Sequence, residues 1–228
     1  QLTAAFNQSN TAVTLAAGRT CVSEPLVLSA IQNVTITLEH GAELQAKRGS
    51  NLFGVLLRVE ASVGVTIQGK PSPVSNANSD PADDPFGPSA AELARPMIRM
   101  WREDYANASL YAHSEHRHAL SVHGCSEVTL RQLRLCYSGG DGIYVESITN
   151  SVFSELTVDH NFRQGMSVSS GPASVCLPRR GFRLRTALCI GDRGQRAGGH
   201  GHYLRLDAWD CPNGWDRLRT ERSAKQDQ

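Results

Sequence analysis

His118, Asp141 and Gln164 stand 23 residues apart, and so do Arg117, Gly140 and Arg163. If the chain coils with that period, each trio becomes a column whose members lie about 5 Å apart. An imidazole one rung from a carboxylate is oriented by it and made more basic. Two guanidinium groups flanking a glycine suit a bound carboxylate or sulfate. Tyr144, on the segment that follows, adds a proton donor or a ring for sugar stacking. These parts fit β-elimination on a uronic acid polymer. A cation neutralises the sugar carboxylate, a base removes the C5 proton, and an acid protonates the leaving oxygen. His118 backed by Asp141 would be the base, Arg163 and Arg117 the neutralising cations, and Tyr144 the acid. Gln164, His123, Glu146 and His160 complete the candidate substrate-binding set. Hydrolysis would need two carboxyl groups about 5 to 9.5 Å apart. Asp141 and Glu146 are the best pair for that, with Asp159 as a substitute.

Each of these residues has a structural role open to it. Gly139-Gly140-Asp141-Gly142 is a turn signal, in which glycine supplies positive φ and Asp caps backbone amides. Arg163 and Gln164 can bond turn carbonyls, the three histidines can be solvated, and Tyr144 suits an exposed β-face.

The elements that must position them show in a repeat between 119 and 168. Ala119-Leu120-Ser121-Val122 recurs as Gly142-Ile143-Tyr144-Val145 and as Gly165-Met166-Ser167-Val168. Leu130, Leu133 and Leu135 map onto Phe153, Leu156 and Val158 with the same step. A fixed period of this size means a stacked-repeat architecture, and the apolar alternation within it is that of strands. The chain is therefore expected to be all-β, a single-stranded, right-handed parallel β-helix. Leu120/Ile143/Met166 and Val122/Val145/Val168 should point inward. Ser121/Tyr144/Ser167 and His123/Glu146/Ser169 should point outward. Earlier alternation at Val13 and Leu15, Leu26 and Leu28, Val34 to Leu38, Leu57 and Val59, and Val65 and Ile67 marks irregular first coils.

Two stretches interrupt the coils within residues 1–170. Residues 70–96 carry Pro71, Pro73, Pro81, Pro85, Pro88 and Pro96, and read as a long inserted loop with one short helix over 89–95. Met97 to Trp101 reads as a strand. Residues 102–117, polar and aromatic, form a second excursion that could wall a groove. Residues 171–228 form an irregular Arg/Gly-rich tail with 11 basic and 6 acidic residues. It is either a cap for the last coil or a segment in an altered reading frame.

His116 to Val122, Ser138 to Val145 and Asn161 to Val168 resemble successive coils of right-handed parallel β-helix repeat proteins of the pectin-lyase-like superfamily. Val13 to Gly18 with Pro25 to Leu28 is similar to that family's first coil. The resemblance covers roughly residues 10–170. It implies an extracellular protein that cleaves, epimerises or merely binds polysaccharide, and the fold does not choose among these. The Asn-Thr-Asp and Asp-Asp motifs of polygalacturonase-type hydrolases are missing. So is the Asp-Pro-His motif of alginate epimerases. Gly199-His200-Gly201 matches the hydrolases' Gly-His-Gly element but stands without its neighbours.

The main functional expectation is lyase- or epimerase-like action on an acidic polysaccharide. A non-catalytic polysaccharide-binding or surface-adhesion solenoid and a glycoside hydrolase remain alternatives. Enzyme and binding protein are both left open.

Other classes are disfavoured. A net charge of +1 gives no argument for nucleic acid. No apolar run spans a membrane. Cys21, Cys125, Cys136, Cys176, Cys189 and Cys211 form no C-x-x-C pair, so zinc is not expected. They read as isolated buried thiols, with disulfides open to a secreted protein. Calcium finds poor support in the Asp80, Asp83 and Asp84 loop, so no cofactor or metal is expected. Asn7, Asn33 and Asn107 fit the glycosylation sequon. The chain lacks an initial Met and a signal peptide, and reads as a fragment or mature form that is expected to be a monomer.

Overall fold

The computed structural model describes residues 8–49, 54–70, 94–112 and 114–169, and beyond them the backbone of four strands between 174 and 219. Strands β1 (Ala12–Leu15), β2 (Thr20–Ser23) and β3 (Leu26–Ser29) make the first coil. β4 (Gln32–Leu38), β5 (Glu43–Ala46) and β6 (Leu57–Glu60) make the second. β7 (Val63–Gly69), β8 (Met97–Arg99) and β9 (Leu120–His123) make the third. β10 (Thr129–Arg131), β11 (Arg134–Cys136) and β12 (Ile143–Glu146) make the fourth, and β13 (Ser151–Ser154), β14 (Thr157–Asp159) and β15 (Met166–Ser169) the fifth. Every third strand joins the same sheet, giving the orders β1-β4-β7-β10-β13, β2-β5-β8-β11-β14 and β3-β6-β9-β12-β15. All of these pairs are parallel. Three parallel sheets with strands in cyclic order are a β-helix solenoid.

Winding continues past residue 170. β16 (Ser174–Pro178), β17 (Arg183–Leu184) and β18 (Leu188–Gly191) each add in parallel to the next rung of one sheet. β19 (Trp215–Arg219) then pairs antiparallel with β16. These strands fall within the segment that the sequence reads as an irregular tail. The remainder of 171–228 lies outside the described residues, as do 71–93 of the first loop and most of the helix expected over 89–95.

The register confirms the repeat. Ile143 pairs with Leu120 and Met166, Val145 with Val122 and Val168, and Leu135 with Val158, all at the 23-residue step. The inward residues stack as columns such as Ile36/Ile67/Leu130/Phe153 and Leu44/Ile98/Leu135/Val158, and all eight are at most 1% exposed. Each such burial contributes about 1.5–3 kcal/mol. β2 carries no clear alternation in the sequence. In β2 the inward positions fall to Cys21 and Ser23, while Val22 points out and is 54% exposed.

Sharp corners hold the coils in register. Asn10, Asn33, Gly64, Glu127 and Asn150 occupy one corner in five successive coils, and all have positive φ, from 50° to 69°. Asn and Gly are the residues that tolerate this region best. Asn33 also donates its side-chain amide to Asn10 Oδ1 at 3.1 Å, a ladder contact along the axis. Cys21, Cys125 and Cys136 are free thiols; Cys125 and Cys136 are buried as expected, whereas Cys21 is only partly so.

Candidate functional site

The candidate residues gather at the corner between the second and third sheets. In the fourth and fifth coils that corner is a tight turn over residues 137–142 and 160–165. In the third coil the chain instead leaves β8 for residues 100–119, with one short helix, α1 (Arg102–Tyr105). This excursion packs back on the solenoid. Arg48 donates two hydrogen bonds to the Asp104 carboxylate, both 2.6 Å. Trp101 Nε1 donates to the Ala46 carbonyl at 2.7 Å, and Tyr111 Oη accepts the Gly49 amide at 2.8 Å.

The columns His118/Asp141/Gln164 and Arg117/Gly140/Arg163 form as the spacing requires, but their contents differ from expectation. His118 is 4% exposed and its Nδ1 accepts the Asp141 backbone N–H at 3.0 Å. A neutral imidazole that accepts at Nδ1 carries its proton on Nε2. The Asp141 carboxylate, 3.6 Å from that nitrogen, therefore does not orient the ring through an Nδ1–H bond. It faces the next rung, where Oδ1 accepts the Gln164 N–H at 3.1 Å with Arg163 Nε 3.9 Å away.

The gap expected between Arg117 and Arg163 is closed. Arg117 is 2% exposed. Its guanidinium lies over the Tyr105 and Tyr111 rings at 5.3 and 5.6 Å and donates to the Ala112 carbonyl. A Cβ on Gly140 would come within 3.1 Å of His118 Nδ1 and still closer to the Glu115 carbonyl oxygen. Glycine is required there by the approach of the excursion. Arg163 remains partly exposed and is paired with Glu115 at 2.8 Å.

Burial pushes the Asp141 carboxyl above its usual value, while the Gln164 amide, the Ser167 hydroxyl and Arg163 pull it back. A carboxyl raised in the folded state stabilises most when protonated, below the unfolded value of 3.8, and that contribution is lost as pH rises through the higher folded value. Asp141→Asn keeps an acceptor for the Gln164 amide without the buried charge. The expected result is a melting temperature at pH 7 no lower than the parent's and a flatter profile from pH 4 to 7, read by calorimetry across pH.

Tyr144 points outward as expected but is covered, at 8% exposure. Its ring stacks on His118 (centroids 4.9 Å, planes 12° apart) and lies 5.4 Å from His123. Its hydroxyl donates to Glu146 Oε2 at 3.2 Å, the same oxygen that lies 3.3 Å from His123 Nδ1. His123 and Glu146 are both about 30% exposed at the side chain. Burial pushes the His123 imidazole below its usual value, opposed by Glu146. These two, with Tyr144, form a strip on the third sheet.

His160 belongs to a different group, most of which the sequence did not reveal. Tyr137 and His160, one rung apart, stack with centroids 5.0 Å apart. The Arg99 guanidinium lies over the Tyr137 ring at 5.1 Å and over the Trp101 ring at 4.9 Å. The Arg48 guanidinium, which bonds Asp104, also lies over the Trp101 ring at 4.9 Å. Rings and guanidinium planes thus run along four successive coils. His160 is held by Asp159, 3.1 Å from its Nδ1, and Asp159 is itself fully buried against Arg134. Tyr137 and His160 both have positive φ, 59° and 53°. For bulky residues this conformation costs about 1–2 kcal/mol each. The 23-residue spacing of Tyr137 and His160 was a usable signal. Arg48 and Trp101 come from irregular segments and carried none.

Among the described residues, no three His, Cys, Asp or Glu side chains converge as a metal site would require. The Asp80, Asp83 and Asp84 loop lies outside them. No described helix is long and apolar enough to cross a membrane.

No family model matches the chain, and no curated protein matches it. Among solved structures it is similar to a protein named "putative glycosyl hydrolase" from Parabacteroides merdae. That match has a TM-score of 0.41 and 14% identity, over 80% of this chain and 71% of the other. A likeness this distant carries no argument about activity.

Proposed function

We propose that this chain is a non-catalytic solenoid that grips a polysaccharide, acidic in character, along the corner between its second and third sheets. The stacked run Arg48–Trp101–Arg99–Tyr137–His160 carries this reading. It places donors and rings on consecutive coils at partly exposed positions, as a repeating ligand requires. The groups that chemistry would use are meanwhile engaged inside the protein. His118 accepts a backbone amide, Asp141 latches the next turn, and Arg117 is buried among tyrosines.

Lyase- or epimerase-like chemistry is a second reading, favoured by the His123–Glu146 contact. A carboxylate at Nδ1 leaves the other ring nitrogen to accept a proton, and burial lowers the ring's pKa, which favours its neutral form. Incubation with polyuronates separates the two. Binding without unsaturated uronates or new reducing ends supports the gripping solenoid, and product formation that is lost in His123→Gln supports the second. Secretion is part of the same proposal, because such polymers lie outside cells.

A further inference from the structure

Of the three asparagines that fit the glycosylation sequon, Asn7 lies outside the described residues, and the fold treats Asn33 and Asn107 in opposite ways. Asn33 is a corner residue at φ 52°, and its side chain is wedged between coils. Its amide donates to Asn10 Oδ1, and its own Oδ1 lies so near the next coil that a Cβ on Gly64 would stand 2.7 Å from it. Val34 is fully buried, and Thr35 is held in β4 by pairing with Ala12 and Thr66. A sugar on Asn33 Nδ2 would compete with Asn10 for the same space.

Asn107 stands clear of the ladder. It follows α1 in the excursion, and Asn107, Ala108 and Ser109 are all exposed. Its Oδ1 accepts the Ser109 amide at 3.0 Å and the Ser109 hydroxyl at 2.7 Å, an Asx turn closed by the hydroxyl that completes the sequon. The carboxamide is pinned by its oxygen, and Nδ2 is left without a partner among the described residues. Leu110 belongs to the same turn, its amide donating to the Asn107 carbonyl at 3.0 Å. At 58% it is the most exposed large apolar side chain among the described residues. A bulky hydrophilic group on Asn107 would rise beside it.

We infer that Asn107 is a site of N-glycosylation, taken in preference to Asn33, and that its glycan shields Leu110. The inference rests on the secretion named above and not on which polymer is held. The donor is an oligosaccharide linked to a lipid diphosphate. The bond from Asn107 Nδ2 to sugar C1 forms, and the C1–O bond to the diphosphate breaks. The electron pair leaves with the lipid diphosphate and Nδ2 gives up one proton, with nothing oxidised or reduced. The fold then acts as a filter. Chains modified at Asn33 fold poorly and are withdrawn, whereas chains modified at Asn107 fold unhindered.

Expression of the full chain behind a secretion signal in a eukaryotic cell tests the site. The host supplies the compartment, so a failure here is separate from a failure of the secretion reading, which is read from where the natural chain is found. Trypsin puts Asn33 and Asn107 on separate peptides, 20–47 and 103–117. Enzymatic glycan removal in heavy-oxygen water then marks each asparagine that carried a glycan. In the medium Asn107 should be occupied at least roughly tenfold more often than Asn33, and Ser109→Ala should abolish its mark. On heating, the deglycosylated parent should aggregate about twice as fast as the glycosylated form, and Leu110→Ser should erase that difference. A bare Asn107, in the medium or in chains held inside the cell, overturns the inference. So does equal occupancy of Asn33 in the medium, or an aggregation gap that Leu110→Ser leaves intact.

Discussion

Gly142→Ala is expected to lower the stability of the solenoid by about 3 kcal/mol, the upper part of the range for overpacking a filled interior. For a chain of this length that is a fall in melting temperature of about 6–12 °C. The added carbon would stand 2.5 Å from Asn161 Nδ2 and 2.8 Å from the Gly165 carbonyl oxygen, and closer still to Val158 Cγ1. None of the three can give way cheaply. Asn161 Oδ1 accepts the Ser138 amide at 3.1 Å, Val158 is in the core, and the Gly165 carbonyl accepts the Ile143 amide at 2.9 Å. Displacing them would open the corner that carries Tyr137 and His160. A matching Gly124→Ala control tests the cause. Gly124 has positive φ, 59°, with no atom within 4 Å of its added carbon. It should lose only about 1 kcal/mol from backbone conformation. Equal losses in both would show that crowding is not what holds Gly142.

The second large effect is expected at Asp159. This carboxylate is fully buried and takes three contacts of 3.1–3.3 Å from Arg134, which is itself 9% exposed. Asp159→Ala leaves a buried guanidinium without its counter-charge, and a loss of about 3–5 kcal/mol follows. Replacing both partners by apolar residues, Arg134→Met with Asp159→Leu, should recover most of that loss, since no uncompensated charge remains. Cys136 supplies a local readout. It lies beside the pair on the same outward face, fully buried, and burial pushes its thiol up to about 12. Alkylation at pH 8, followed by mass spectrometry of the Cys136 peptide, should be negligible in the parent. It should become measurable in Asp159→Ala and return to negligible in the double variant.

The fold was largely legible because its signal is repetitive. A 23-residue step in Leu120, Ile143 and Met166 fixes both strand period and register, and the structure pairs those residues directly. The winding beyond 170 was less legible because the step changes there: Met166 pairs with Leu188, and Thr157 with Arg183. For the site, spacing brought the right residues together but could not show which atoms would be spent. His118 and Asp141 are rung neighbours, yet a backbone amide, which no sequence pattern reports, takes the imidazole nitrogen. Gly139 and Gly140 read as a turn that needs positive φ, although neither is among the positive-φ glycines. Both are small because Tyr105 and Glu115 approach them from the excursion. Arg48 and Trp101 were hidden for a related reason. They meet only because residues 100–119 fold back over an earlier coil, a tertiary event outside the repeat.

The claim that this solenoid holds a polysaccharide without cutting it is tested most directly by one binding-and-turnover measurement. The chain is saturated with a polyuronate, and bound polymer, reducing ends and unsaturated uronate are followed in the same sample over hours. The account expects bound polymer that is released by salt, with both product signals flat. Product that accumulates in proportion to protein concentration, or polymer that never binds, would contradict it.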